Sequence, residues 1–314
     1  AEYMPTKAQL KQWIPGALDD FKSVMPPIDV PYPPVYIVNS RNFAKIRKQL
    51  VCELDSKHTE CPEIEIGEYL YGSHGGAIII NQTDIESNQR LEFCNAYWHE
   101  LGHFYAISSQ QPDLTRYSEP GLVDDSHNFN VDSGIPTLGL SDERIIQEGY
   151  WFWQEFIAQA IANTVRYHFY PTHQMNWHPA NWYSISDFLA EMLKEALFHE
   201  EYSIDEYALS HYFAYLLLDD NAKGYTQAAK ENKLLEYDDH GNIGIPDSHI
   251  DPTCISWVEP EDFQEPLLRM KSLVEEQLQK ENFWDISKAS LLEIGQCIAD
   301  MMLIKFKKKI NHMM

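Results

Sequence analysis

The sequence predicts an α+β protein that is mostly helical, with a small β-sheet in its N-terminal third. Short apolar, β-branched runs concentrate between residues 35 and 82. From residue 141 onward, apolar side chains recur at helical spacing instead. The 314 residues suffice for one sizeable core, or for a catalytic unit with a smaller appended one.

The elements of the N-terminal part are predicted from periodicity and from the residues that start and stop helices. The stretch 25–34 contains five prolines, so we expect it to be an extended linker. The predicted elements are helix 7–24, interrupted or restarted near Pro15, linker 25–34, strand 35–39, helix 41–54 capped by Ser40, two strands within 62–82, and helix 84–107.

The remainder of the chain is predicted to be helical after a long irregular segment. Residues 108–140 lack periodicity, and such a stretch inside a compact domain is often a lid or a binding loop. Ser141 is placed to cap the next helix. The predicted elements are helices 141–168, 185–200, 204–219 and 224–235, a turn or hairpin at 237–246, and helices 261–280 and 286–309. We expect a catalytic unit over 1–242 and a helical extension over 243–314, or one continuous domain.

Composition excludes several classes of partner. The formal net charge is −24, from 48 acidic and 24 basic side chains, and a field of that sign repels nucleic acid. No apolar run reaches the roughly 18 residues that a bilayer requires, and no signal peptide is visible. Five scattered cysteines without a CxxC pair suit a reducing compartment. We therefore predict a cytoplasmic protein without a membrane partner, and its oligomeric state is not predicted.

The segment HELGH, from His99 to His103, has the spacing of a metal site. Two histidines four residues apart on a helix project from one face, one turn apart, so both can bind one zinc ion. Glu100 lies beside that face, where a carboxylate can take a proton from a zinc-bound water. The alternative is a pair of partly buried histidines with hydrogen-bonded partners.

The surroundings of the motif favour the metal site. Its other faces are apolar, which predicts a buried helix rather than a solvated one, through Trp98, Leu101, Phe104 and Tyr105. Gly102 is an unfavourable residue in a helix interior, and it permits close approach of another backbone.

A catalytic zinc needs a third protein ligand. The extension HExxHxxGxxH of metzincins is absent, because the chain has Ala106 and Ser109 at those positions. The next long helix offers Glu148 and Glu155, seven residues apart and so on one face. We favour Glu155, because Ala158 follows at helical spacing and allows tight packing on the motif helix; Glu148 stays open as the alternative.

HELGH followed about 50 residues later by Glu-x-x-Ala resembles the gluzincin group of zinc metallopeptidases. The resemblance implies zinc ligands His99, His103 and Glu155, with Glu100 as the base, on a zincin-like unit whose small sheet packs on the motif helix. Thermolysin-like members carry an aspartate four residues after the third ligand, which orients a zinc-bound histidine. This chain has Gln159 there, so the residues behind the ligands differ.

Two further features, the strand at 75–81 and the oxyanion-stabilising residue, each have more than one interpretation. In zincins an edge strand pairs with extended substrate, and the strand at 75–81 is either that edge or an ordinary core strand. The residue that stabilises the oxyanion is expected among Tyr150, Tyr207 and His211.

The predicted function is zinc-dependent hydrolysis of peptide bonds, with a zinc-bound water activated by Glu100 and a peptide or protein as substrate. The alternative is a non-catalytic regulatory or partner-binding protein that retains a structural metal on a zincin fold. An open fourth position on the metal favours the enzyme, and a protein side chain there favours the alternative.

Overall fold

The protein is mostly helical, with small sheets: 67% of the described residues are helical, which agrees with the predicted α+β, mostly helical class. The computed structural model describes residues 4–61, 66–85, 90–110, 112–119, 128–132, 134–170, 182–198, 203–218, 236–237, 243–244, 255 and 261–313.

The helices and strands are numbered separately in chain order. The helices are α1 Lys7–Val24, α2 Phe43–Leu54, α3 Arg90–Ser109, α4 Asp142–Phe169, α5 Trp182–Phe198, α6 Glu206–Leu218, α7 Gln264–Leu278 and α8 Lys288–Met313. The strands are β1 Val35–Val38, β2 Gly67–Gly72, β3 Gly75–Asn81, β4 Asn128–Asp132, β5 Ile135–Gly139, β6 Glu236–Tyr237 and β7 Ile243–Gly244.

The chain divides into two compact units, and helix α4 contributes to both. The first unit comprises Ala1–Leu122 and Ile157–Pro171. The second comprises Val123–Phe156 and Thr172–Met314. The boundary predicted at residue 243 stays a prediction.

The first unit is built around a three-stranded sheet in the order β1-β3-β2. Strand β3 is central, parallel to β1 and antiparallel to β2, with Tyr69 opposite Ile78. One face of the sheet packs on α2 through a cluster that includes Phe43, Leu50 and Leu70. Because side chains alternate along a strand, Ile78 and its neighbours at two-residue spacing lie on the opposite face. Helix α3 also contacts β2 and β3, and its interior face is buried.

Helix α1 and the proline-rich linker are fastened to α3 by buried hydrogen bonds. Trp98 Nε1 donates to the carbonyl of Ala17 at 2.9 Å, and the Tyr105 hydroxyl donates to the carbonyl of Pro26 at 2.9 Å. Helix α1 runs through Pro15 without a break and starts with a complete capping box between Thr6 and Gln9. The motif helix is thereby held on one side by the sheet and on another by α1.

Several predicted boundaries were wrong. Helix α2 begins at Phe43 rather than residue 41, because the side chain and carbonyl of Asn39 bind the next backbone N–H groups in a turn, so Ser40 is not the cap. Residues 82–84 form a separate 3₁₀ turn stabilised by Asn81, and α3 is described from Arg90.

The segment 108–140, expected to be irregular, contains a 3₁₀ turn at Thr115–Ser118 and the hairpin β4–β5. Ser141 does cap α4, accepting from the N–H of Arg144 at 3.2 Å. The hairpin predicted at 237–246 is present as β6 and β7, whereas the helix predicted at 224–235 lies outside the described residues.

The second unit packs helices around the N-terminal part of α4. Helix α5 contacts α6, α7 contacts α8, and β5 lies on α8. Phe129 of the hairpin packs on Phe306 with ring centroids 4.4 Å apart. Lys288 and Glu143 form an ion pair at 2.9 Å between α8 and α4.

Two expectations from composition, on membrane-spanning segments and on cysteines, can be compared with the described residues. None of the described helices combines the length and apolar character needed to cross a bilayer. Cys52, Cys61, Cys94 and Cys297 are all free thiols, so Cys52 and Cys61, which lie close in sequence, do not form a bridge.

Candidate metal centre

The two histidines of HELGH lie side by side on α3. Their imidazole centroids are 4.8 Å apart and the rings are nearly perpendicular, at 85°. Both side chains are half-buried. This arrangement follows directly from the four-residue spacing on a continuous helix, and it presents two ring nitrogens to one point.

Helix α4 brings Glu155 to the same point. A carboxylate oxygen of Glu155 and one nitrogen from each of His99 and His103 all lie within 4.8 Å of one another. Among the described residues, this is the one group of three or more histidine, cysteine or acidic side chains close enough to share a metal ion. The arrangement agrees with the ligand set that the sequence predicts.

The close approach of α3 and α4 depends on small residues. A Cβ on Gly102 would lie 2.6 Å from the carbonyl oxygen of Ala158 and 2.9 Å from its Cα. Real Cβ atoms do not come that near backbone, so only glycine fits on α3 at this crossing. The prediction that Gly102 admits another backbone is therefore confirmed, with Ala158 as the residue it admits.

Gln159, one turn after Glu155, is hydrogen-bonded to His99. Its Oε1 lies 3.0 Å from His99 Nδ1, and because an amide oxygen can only accept, Nδ1 is the donor. The other end of the amide donates to Asn163 Oδ1 at 2.8 Å. With Nδ1 carrying the proton, the lone pair of His99 lies on Nε2, which is the tautomer that a metal ligand needs.

Glu100 is 6% exposed and lies against the edge strand β2. A Cβ on Gly67 would lie 2.8 Å from Glu100 Oε1 and 2.9 Å from its Cγ, so the β2 backbone passes directly over this carboxylate. Sequence reasoning missed Gly67, since a glycine at the start of a strand carries no signal about its partner. The glycine leaves room for the Glu100 side chain beside the sheet edge.

Beyond Gly67, β2 presents tyrosines toward the motif helix. The ring of Tyr69 packs edge-on against Phe104, with centroids 5.8 Å apart, and stacks on Tyr71 at 5.5 Å. Burial raises the pKa of both phenols above the ordinary value, so they stay protonated. The Tyr71 hydroxyl is hydrogen-bonded to Ser118 Oγ at 2.5 Å. These rings form an aromatic row along the strand that borders Glu100.

The strand proposed as an edge is a core strand. β3 has neighbours on both sides, and Ile78, Ile79 and Ile80 are completely buried. Of the two interpretations of residues 75–81, the core strand is therefore confirmed. The edge beside Glu100 is β2.

Glu148, the alternative third ligand, lies in a different environment. It accepts a hydrogen bond from Arg144 Nε at 2.7 Å, and both side chains are buried. The Glu206 carboxyl is hydrogen-bonded to it as well. Burial, and then the charge of Glu148, raise the pKa of Glu206 well above its ordinary value. Glu148 thus belongs to a buried ionic cluster, whereas Glu155 lies beside the histidines.

The three candidates for oxyanion stabilisation differ in exposure. Tyr150 is fully buried on α4, and Tyr207 is 57% exposed on α6. The His211 ring lies against the Tyr207 ring at a tilt of 34°, with centroids 4.3 Å apart, and its Nδ1 lies 3.0 Å from the Tyr207 carbonyl. The role of each in catalysis stays a prediction.

Comparison with known proteins adds no relative. No family model matches the chain, and neither a curated protein nor a solved structure matches it. The likeness to gluzincins therefore depends on the motif and on the geometry of its side chains.

Proposed function

We propose that the protein is a zinc metallopeptidase of the gluzincin type, which hydrolyses peptide bonds with His99, His103 and Glu155 as zinc ligands and Glu100 as the general base. The observation that carries this proposal is the position of Glu155. A residue about 50 positions from HELGH offers its carboxylate within 4.8 Å of the nitrogens of both histidines.

The donor set fits zinc. Two imidazole nitrogens and one carboxylate oxygen form a three-ligand set typical of catalytic zinc sites, which leaves a fourth position for water or substrate. In a tetrahedral site with bonds of about 2.0–2.1 Å, ligand atoms lie about 3.4 Å apart. Closing the group from within 4.8 Å to that spacing requires small rotations of half-buried side chains. The orientation of Gln159 in the structure, with its Oε1 3.0 Å from His99 Nδ1, also leaves Nε2 as the nitrogen that could bind a metal.

The chain's own residues supply the remaining chemistry. A bound zinc ion would polarise the scissile carbonyl and lower the pKa of the attacking water. Glu100 takes one proton from the water as the water oxygen attacks the carbonyl carbon. It then delivers this proton to the amine nitrogen as the C–N bond breaks. The buried carboxylate of Glu100 lies against the backbone of β2 at Gly67.

The zincin-like architecture is part of this proposal. Three features support it: a sheet beside the motif helix, an antiparallel edge strand, and a central strand that precedes the helix. No described strand pairs with the outer side of β2, and we propose that an extended peptide adds there as a further strand. A peptide bound in this way passes Gly67 and therefore Glu100.

The test combines metal analysis with hydrolysis of a mixed peptide pool followed by mass spectrometry. The full chain should hold about one zinc ion and cleave peptides. Glu100→Gln should retain zinc and lose activity on the order of 10²–10⁴-fold. Glu155→Ala should lose zinc. Glu92→Gln, the same substitution two turns earlier on α3, is the control and should change neither property.

Two results would contradict the proposal. Full hydrolysis by Glu100→Gln would rule out the proposed base. Stoichiometric zinc without cleavage of any peptide in the pool would favour the non-catalytic alternative, in which the metal is structural.

A further inference from the structure

The two amides behind His99 form a relay that can run in either direction. In the structure, His99 Nδ1 donates to Gln159 Oε1 at 3.0 Å, and Gln159 Nε2 donates to Asn163 Oδ1 at 2.8 Å. Both amides can rotate by half a turn, which exchanges oxygen and nitrogen. Asn163 then donates to Gln159, and Gln159 donates to His99 Nδ1.

The two directions require different tautomers of His99. When Nδ1 donates, Nε2 has a free lone pair and can bind a metal. When Nδ1 accepts from Gln159, the proton lies on Nε2, and that nitrogen cannot bind a metal. The direction of the relay thus decides whether His99 is ready to act as a ligand.

Asn163 is the residue where the two directions differ in hydrogen bonding. It is 1% exposed, and in the metal-competent direction its Nδ2 has no hydrogen-bond partner. A buried amide nitrogen without an acceptor is unfavourable. In the reverse direction the nitrogen donates to Gln159, and a carbonyl oxygen occupies the unpaired position instead. Unpaired buried oxygens occur more readily than unpaired N–H groups.

We propose that Gln159 and Asn163 are positioning residues whose relay reverses when the metal binds, so that the tautomer of His99 is coupled to zinc occupancy. This inference rests on the metal site of the proposed function. Without metal, the reverse direction satisfies Asn163. With metal, the bond to His99 Nε2 holds the direction in which Nδ1 donates. The unpaired Asn163 nitrogen therefore opposes zinc binding.

Replacing either amide by a carboxylate tests this relay, because a carboxylate only accepts hydrogen bonds. Asn163→Asp should keep the metal-competent direction and tighten zinc binding about tenfold in a chelator competition. Gln159→Glu fixes His99 in the same tautomer and serves if Asn163→Asp does not fold. Gln159→Leu removes the relay and should weaken zinc binding about 10–100-fold.

The matched control is Thr164→Val, on the same helix. The Thr164 hydroxyl donates to the Ala160 carbonyl one turn earlier, at 2.9 Å, and takes no part in the relay. Its zinc affinity should equal that of the parent. Thermal unfolding of each metal-free variant separates an effect on stability from an effect on the metal.

A second readout is the tautomer itself, measured by the ¹⁵N chemical shifts of the two His99 ring nitrogens. The metal-free parent should contain a substantial fraction with the proton on Nε2. Metal-free Asn163→Asp should have the proton on Nδ1, as the zinc-loaded parent does. A merely structural role of Asn163 would leave this fraction unchanged.

The failures are distinguishable. If the parent binds zinc but the carboxylate variants and Gln159→Leu bind it equally well, the relay is refuted and the metal site stands. A metal-free parent whose His99 is already entirely protonated on Nδ1 refutes the reversal. If the parent binds no zinc, the proposed function fails, and the relay with it.

Discussion

Substituting alanine for Gly102 is the most direct test of how α3 and α4 form the candidate metal centre. The added Cβ would lie 2.6 Å from the carbonyl oxygen of Ala158, about 0.8 Å short of the 3.4 Å at which ordinary contact begins. The obstacle is helix backbone on both sides, so neither partner can rotate away. The helices must separate by several tenths of an ångström at their crossing.

The expected magnitude combines two opposing effects. Overpacking a tight core contact destabilises by about 1–3 kcal/mol. Alanine is also a better helix former than glycine by about 1 kcal/mol, which partly offsets this. We expect a net loss on the order of 1–2 kcal/mol in the metal-free protein. Since zinc sites tolerate bond-length deviations of only about 0.2 Å, separation of the helices should weaken zinc binding more than it weakens the fold.

The assay is urea unfolding of metal-free Gly102→Ala together with zinc affinity from chelator competition. Gly16→Ala is the matched control, because Gly16 is also helical but its Cβ would meet only the flexible end of Arg90, at 3.3 Å. Gly16→Ala should leave zinc affinity unchanged and keep or raise stability. The reasoning is refuted if Gly102→Ala is as stable as the parent and binds zinc as tightly.

Three further predictions concern stability. The pKa of Glu206 is raised above that of the unfolded chain, mainly by burial, so the stability that this group contributes is full below about pH 4.3 and is lost as pH rises through the folded pKa. Urea unfolding between about pH 5 and about pH 8 should therefore show a flatter pH dependence of the unfolding free energy for Glu206→Gln than for the parent. An equal slope in the two proteins would contradict this prediction. Arg47→Met leaves Glu68 without its buried partner and should cost about 3–5 kcal/mol, much of which the double variant with Glu68→Leu should recover in the same assay. Thr6→Ala removes the capping box of α1 and should lower the unfolding free energy by about 1 kcal/mol; an unchanged value would show that the cap is not needed.

The parts of the fold that sequence predicts well are those in which one periodic pattern extends over a whole element. Helix α4 follows from its capping serine and its long apolar stripe, and it ends within a residue of the prediction. The position of Glu155 beside the histidines was predicted from small residues at helical spacing. Such spacing involves neighbouring residues of one helix, so it can be recognised without knowledge of the tertiary structure.

The features that sequence did not predict depend on contacts between distant segments. The hairpin β4–β5 has only weak alternation of apolar and polar residues, since exposure alternates along β5 but the apolar Ile135 is 64% exposed. Gly67 matters only because Glu100 lies against it, 33 positions later in the chain. The predicted start of α3 at residue 84 falls in a 3₁₀ turn over Gln82–Asp84 instead, because the polar run after Asn81 has no strong helix-breaking residue to mark that turn.

Gln159 is a residue whose contacts follow from the structure and not from the motif comparison. Seen in the sequence, it is a departure from the aspartate of thermolysin-like enzymes, and it says nothing about which side chain orients His99. In the structure, Glu155, Gln159 and Asn163 follow one another at four-residue intervals on α4, so the proposed ligand and the two amides share one helix face. An aspartate can only accept a hydrogen bond from His99, which fixes one tautomer of the imidazole. An amide can accept or donate, so in the proposed relay the orientation of Gln159 depends on Asn163. In the proposed relay, having an amide where thermolysin-like enzymes have a carboxylate transfers control of the His99 tautomer to Asn163, one turn further along the helix.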